Sequence, residues 1–419
     1  MAIVSCSETE SPPEDRVISQ FEDRSLNIGY IHGSPVFLRN SAALAVQHIN
    51  NAGGVLSQNF NIIYNNRGDT EESKAKAIVM MDEYNIQTII STTSSRTLAI
   101  LEETRPRQVL LISETATSPA LTNANDNDLL FRTAPSDIHQ GKVLAQMAFD
   151  IGIQSAVFVI NAEDSYGSGL AAEFEKELSL LGSESISIVE IPDELRVGFD
   201  DYMPLVYDSQ PDVVVLALVR TTVNSNFINE TANLNFQGYY LFSDVAVNNT
   251  FTSNLADPSV LSQAFGVSPA KGLKQSVHHK FFAQSYLDNF SEEIQTFSSN
   301  TYDAVMVAAL ATEHAGKINN TGLPSGNMIG LSMREIMNPA GTEVGPSNIS
   351  EAFSLIQQGR EINYQGAYSN NDFNSAGDIV GTLVYDTFSF NTNTVNFELI
   401  EQIVIDVPLT PQILTLNPQ

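Results

Sequence analysis

An alternation that runs twice through the chain constrains its fold more than any other feature. Short, continuous apolar runs are followed each time by a stretch with the spacing of an amphipathic helix. From Leu26 the run "LNIGYI" reads as a strand, "NSAALAVQHINNAGG" as a helix closed by glycines, and "NFNIIYNN" as a strand. "TEESKAKAIVMMDEY" reads as a helix, "IQTIIST" as a buried strand, "SSRTLAILEETRP" as a helix and "QVLLIS" as a strand. After "FRTAPSD" (131–137) the alternation restarts. Helices over 140–151, 167–181, near 199–208 and over 224–234 fall between the strands "SAVFVI", "ESISIVEI", "DVVVLAL" and "GYYLFSD". Strands apolar along their whole length, separated by helices, belong to parallel sheets covered on both faces. The chain therefore reads as two α/β units in succession. Segment 270–345 adds two more helices, "TYDAVMVAALATEHAG" among them, and 379–407 is strand-rich.

Length agrees: 419 residues exceed what one core usually serves, and two or three compact units are expected. Against 20 basic residues stand 49 acidic ones, a net charge of −29. Such a surface repels phosphate backbones, which excludes nucleic acid as a partner. It also keeps a protein soluble, and is common where ambient salt is high. No apolar run reaches the roughly 18 residues needed to cross a bilayer. Cys6 is the sole cysteine, so no disulfide forms within the chain. Its context, "IVSCS", resembles the end of a bacterial lipoprotein signal, with Ile3, Val4 and Ser5 as the tail and Cys6 as the lipidated residue. The alternative is a free thiol in a floppy tail. Residues 7–25 carry six acids, two arginines and two prolines, the composition of a solvated tether.

In open α/β sheets, ligands bind beyond the carboxyl ends of strands, at helix N-termini. Four strand ends carry unusual polar residues. "TIIS" runs into "TTSSR", placing Ser94 and Ser95 where a helix begins. Hydroxyls and backbone N–H groups there suit a carboxylate, although either serine also suits a simple N-cap. "LLIS" runs into "ETATS", where Thr115 and Thr117 offer more donors; a turn rich in hydroxyls before Pro119 is the alternative. In the second unit, "NAEDSYGSGLAA" places Tyr166 to cover a ligand, with Asp164 and Ser165 as candidate caps. "LFSD" places Asp244 at the same edge, where it would take an ammonium group or cap the next segment. Arg220, after "VVVLALV", also reaches that edge. A zwitterion lying between the units would satisfy both sets.

In order along the chain, "AVQHINNAGGV", "ISETATSPALT", "FRTAPSDIHQG", "EDSYGSGLA", "FGVSP" and "INYQGAYSNNDFNSAGD" resemble the motifs of the type I periplasmic binding proteins of the leucine/isoleucine/valine-binding family. These serve ABC importers, and the resemblance covers nearly all of 26–405. It implies two Rossmann-like α/β lobes with parallel sheets, joined by a three-crossover hinge that closes on a ligand. The implied lobes are 26–134 plus about 268–362, and 135–267 plus about 363–419, after a signal remnant and acidic tether over 1–25. Carried over residue by residue, Ser95, Thr115 and Thr117 would hold the ligand's α-carboxylate, Asp244 its α-ammonium, and Tyr166 would cover it. The implied partners are a small amino-acid-like molecule and a membrane ABC permease. The protein would be a monomer in the periplasm or on the cell surface, touching membrane only through lipidated Cys6, with no cofactor, no metal and no catalysis.

Several positions depart from the family pattern. The aromatic contact after the first strand is absent or shifted to Phe37. Glu114 stands where a proline or small residue is usual, Arg96 replaces a small residue, and Arg220 lies near a position that often carries an aromatic. Arg96 and Glu114 either pair with each other or recognise a polar ligand side chain.

Two rival readings remain. "YGSGLAA" contains G-x-G-x-x-A with Glu190 about 20 residues on, the spacing of a dinucleotide fingerprint. The intervening "NAEDSY" leaves too long a loop to bring a pyrophosphate onto the helix. Ser73 and Lys76 form S-x-x-K inside a helix, a solvated face rather than a catalytic pair. The six histidines, His278 and His279 adjacent among them, lack zinc-ligand spacing. The second rival is a ligand sensor on the same fold.

Overall fold

The structure, a computed structural model, describes residues 25–409 apart from 33–34, 67, 183–184 and 338. Cys6 and the tether before Ser25 lie outside the described residues.

The first run of elements is β1 (Ser25–His32), α1 (Val36–Asn51), β2 (Asn59–Asn66), α2 (Thr70–Tyr84), β3 (Thr88–Ser91), α3 (Ser94–Thr104), β4 (Leu110–Ser113), α4 (Pro119–Thr122) and β5 (Leu130–Arg132). Its strands form one parallel sheet in the order β2-β1-β3-β4-β5. Every residue of β3 and β4 is buried, as continuous apolar runs between two helical layers must be. Register places Ser91 beside Ser113 and Ser113 beside Arg132, so the strands end level and their polar followers share one edge.

The second run is α5 (Asp137–Asp150), β6 (Ser155–Asn161), α6 (Ser165–Leu180), β7 (Ser185–Ile191), α7 (Met203–Tyr207), β8 (Val213–Ala217), α8 (Thr221–Glu230), β9 (Tyr239–Phe242), α9 (Asn249–Ser253) and β10 (Ala264–Pro269). The helix expected near 199–208 is only the short α7. The chain then returns to the first lobe with α10 (Val277–Phe290), α11 (Ser298–Asn319), α12 (Gly326–Ser332), β11 (Thr342–Val344), α13 (Ile349–Gln357) and β12 (Ile362–Tyr364). That is more helix than the sequence suggested for this stretch. It ends in the second lobe with β13 (Asn371–Phe373), β14 (Ile379–Asn391) and β15 (Asn396–Val407). β7-β6-β8-β9-β10 are parallel, and β14 adds antiparallel to β10. Along β14, Gly381 pairs with Asn371 and Val407, while Tyr385 pairs with Pro269 and Ile403. β15 therefore covers the side of β14 away from β10 and β13.

α11 is buried along nearly its whole length, which explains why its sequence is apolar or small on all sides. One core cluster runs through both lobes, and each sheet has a second cluster on its other face.

Three crossings join the lobes: 133–136, 270–276 and 365–370. At the first, the buried Arg132 guanidinium donates to Asp378 Oδ1 (2.6 Å), to the carbonyls of Thr117 (2.9 Å) and Ser118 (2.8 Å), and to the Thr122 hydroxyl (2.7 Å). Thr133 and Asn300 exchange hydrogen bonds through each other's carbonyls. At the third, Asp303 on α11 accepts from the Tyr364 hydroxyl (2.8 Å) and the backbone N–H groups of Ala367 (2.7 Å) and Tyr368 (2.9 Å).

Candidate functional site

The carboxyl edges of the two sheets face each other. On the first lobe, α3 begins at Ser94 without any side-chain cap, so its first N–H groups are left to other partners. The residue before it, Thr93, has φ of 65°. A β-branched residue there stores backbone strain, a cost of about 1–3 kcal/mol that is commonly found at ligand sites. Thr115 is half-buried; its hydroxyl contacts that of Thr92 (2.8 Å) and accepts from the Thr93 N–H (3.2 Å). Thr115 and the uncapped start of α3 thus form one donor-rich corner.

On the second lobe, Asp164 caps α6, accepting from the N–H groups of Tyr166 (3.1 Å) and Gly167 (3.0 Å). Tyr166 is buried and donates its hydroxyl to Asp244 Oδ1 (2.7 Å). Gln140 Nε2 donates to the same oxygen (3.1 Å). Asp244 does not cap the next helix: Asn248 accepts from the Phe251 N–H there. Burial pushes the Asp244 carboxyl above the usual carboxylate range. Burial, and next the charge of Asp244, push the Tyr166 phenol well up.

The two edges touch. Ser95 donates to Asp164 Oδ1 (2.8 Å) and accepts from the Ser165 N–H (3.1 Å). Ser118 donates to the Ser165 carbonyl (2.6 Å). Thr117, fully buried, donates to Asp137 Oδ2 (2.8 Å) at the first crossing. Grooves of about 440, 390 and 670 Å³ lie elsewhere: between α5 and β15, beside His48 and Phe281, and around Arg334 and Asp372.

The structure thus places Ser95, Thr115, Thr117, Tyr166 and Asp244 at the facing strand ends, with two corrections of detail. Arg96 and Glu114 do not pair. Glu114 is buried and accepts from the hydroxyls of Tyr30 (2.7 Å) and Thr301, which explains how a carboxylate replaces a small residue. Arg96 donates to the Gly68 carbonyl (3.0 Å) and the Thr93 hydroxyl (3.3 Å). Burial, then the Arg220 charge, push its guanidinium down. Arg220 pairs with Asp193 (3.3 Å). Phe37 packs on the core from α1; the aromatics at the end of β1 and β2 are instead Tyr30, Tyr64 and the ring of His32. The glycines of "YGSGLAA" lie inside α6, not in a phosphate loop. A Cβ on Gly167 would come 2.8 Å from Ile160 Cβ, and one on Gly169 would come 2.7 Å from Pro119 Cδ. The first lets the helix sit on its sheet; the second lets the lobes meet.

Asp137, Gln140 and Arg132, which the sequence did not single out, hydrogen-bond to Thr117 and Asp244. They sit in "FRTAPSDIHQ", which the sequence marks only as a crossing. A run of polar residues between two apolar units was the available signal.

Two α/β lobes, three crossings and facing polar strand ends define the type I periplasmic binding protein fold. The chain belongs to the receptor family ligand binding region, whose family profile matches residues 38–387. It is similar to the chemotactic signal transduction system substrate-binding protein BasB of Halobacterium salinarum, 24% identical over 343 residues that span 79% of this chain and 77% of that one. Leu/Ile/Val-binding protein homolog 1 of Brucella suis is 26% identical over 287 residues, 67% of this chain and 74% of that one. Among solved structures, the leucine-binding protein LivK of Thermotoga maritima has a TM-score of 0.73 at 17% identity, covering 92% of this chain and 99% of that one. An R. palustris solute-binding protein in complex with benzoate has a TM-score of 0.70 at 12% identity, covering 91% and 98%. At these identities the solved structures speak to fold alone.

Proposed function

We propose that this is an extracytoplasmic solute-binding protein that captures an amino-acid-like zwitterion between its lobes and delivers it to an ABC permease. The observation that carries the reading is the opposition of two unlike corners: the uncapped start of α3 with Thr115, facing Asp244 with Tyr166. The first favours a carboxylate, the second an ammonium. A ligand touching both lobes binds the closed form better than the open one, and only that difference shifts the balance toward closure. Ser95 and Thr117 take part by turning from their present partners to the ligand. Arg96 and Arg220 flank the ligand's side group. The lobe limits given above stand as part of this reading, as do the monomeric state and the lipid anchor at Cys6.

The kinship to a chemotactic substrate-binding protein favours a second reading, in which the closed form reports ligand to a signalling partner. A neighbouring permease gene supports delivery; a neighbouring signal-transducer gene supports sensing.

A thermal-shift screen against amino acids and aromatic acids is the first test. Ligand at about 100 times its dissociation constant adds about 2.7 kcal/mol of stability. By calorimetry, Asp244→Ala lowers affinity for the amino acid so found roughly a hundredfold, the scale of a lost charge-assisted hydrogen bond. Glu114→Ala lowers stability more than affinity, because its partners lie within the first lobe and α11. Equal losses of affinity in the two variants overturn the assignment.

A further inference from the structure

Two buried side chains beside Asp244 each keep an acceptor without a donor. Asp137 and Gln140, three residues apart on the first turn of α5, are both fully buried. Thr117 satisfies Asp137 Oδ2, but Asp137 Oδ1 has no hydrogen-bond partner among the described residues. Gln140 Nε2 donates to Asp244 Oδ1 and to the Val267 carbonyl (3.1 Å each), which fixes its amide orientation. Its Oε1, an acceptor by that assignment, is likewise without a partner. Of the charges acting on Asp137, that of Asp244 acts most strongly. Arg132, the cation in range, already directs its guanidinium to Asp378, Thr117, Ser118 and Thr122. Orphaned acceptors this deeply buried are rare in native proteins and call for a donor that the chain does not supply.

We infer that the cleft reads a primary ammonium by all three of its N–H donors, with Asp137 Oδ1 and Gln140 Oε1 as acceptors beside Asp244, which restricts the ligand to molecules with a free primary amine. A primary ammonium carries three N–H donors, a secondary one two, and a quaternary one none. A methylated nitrogen leaves one of the buried oxygens unpaired, and such a loss discriminates more strongly than lost apolar contact. The charge of half-buried Asp244 acts on buried Asp137, and a full positive charge beside them relieves that repulsion. Aromatic acids such as benzoate, which lack any amine, are excluded on the same ground. The inference rests on the reading of Asp244 as the ammonium site.

The test is calorimetry on the full chain. The primary-amine amino acids, proline, glycine betaine and benzoate are titrated first. The N-methyl, N,N-dimethyl and desamino forms of the tightest amino acid follow. Each N-methyl group is expected to weaken binding roughly tenfold, by leaving a buried acceptor unpaired. Betaine, benzoate and the desamino form do not bind. Asp137→Leu and Gln140→Met then separate donor loss from added bulk: in either variant the penalty for the first methyl falls below about threefold, by the logic of a double-mutant cycle. A penalty that persists in both variants is steric and overturns the inference, as does a methylated form that binds the wild type as well as its parent. In those two cases a primary-amine ligand that still depends on Asp244 leaves the zwitterion reading standing. Binding of benzoate with no amino acid bound overturns both.

Discussion

Asp303 shows how one buried carboxyl couples the fold to pH. It sits on α11 and holds the third crossing through three hydrogen bonds. Burial raises its pKa from 3.8 to about 6, against the opposing effect of those donors. A carboxyl whose folded pKa is raised contributes stability that is fully present below its unfolded pKa and is lost as pH rises through the folded one. The contribution here is on the order of 2–3 kcal/mol, lost between about pH 4 and pH 7. Asp303→Asn does not titrate. Urea denaturation is therefore expected to show a stability gap between wild type and Asp303→Asn that narrows as pH rises through about 6. A gap constant across that range places the titration elsewhere.

At the scale of the element, α6 is a helix at which the lobes meet. Its N-terminal turn presents Ser165 to Ser95 and Ser118 of the first lobe. Gly169 faces Pro119 and Ser118, where an added Cβ would lie 2.7 Å from Pro119 Cδ and 3.0 Å from Ser118 Oγ. Alanine is better than glycine in a helix by about 1 kcal/mol, so Gly169→Ala leaves the second lobe as stable or more so. It obstructs only the meeting of the lobes. The expected result is an unchanged or higher unfolding midpoint without ligand, together with affinity lowered about tenfold or more. A fall in both would mean that Gly169 serves the lobe rather than its closure.

For the molecule as a whole, charge decides the response to salt. The net charge of −29 makes the folded surface self-repelling. Screening relieves this, while the ion pairs that screening weakens, such as Lys74–Glu102 and Arg107–Glu103, are partly exposed and contribute little. The unfolding midpoint is expected to rise when KCl goes from about 0.1 M to about 1 M, where the Debye length shrinks from about 10 to about 3 Å. A midpoint that falls would assign the dominant electrostatics to attractive pairs.

The alternation of apolar runs and helices was enough, without coordinates, to give two parallel-sheet lobes, because burial on both faces leaves a periodic mark on sequence. Strand ends were legible too, since the residues after "TIIS", "LLIS" and "LFSD" break that apolar pattern. That is why Ser95, Thr115, Thr117, Tyr166 and Asp244 could be singled out, and they lie at the facing strand ends. Pairings between distant segments left no such mark. Glu114 finds Tyr30 and Thr301, Arg132 finds Asp378, and Asp137 finds Thr117. A polar side chain is compatible with many partners in sequence. Only the packing of two lobes decides which donor reaches which acceptor, and which acceptors keep no donor.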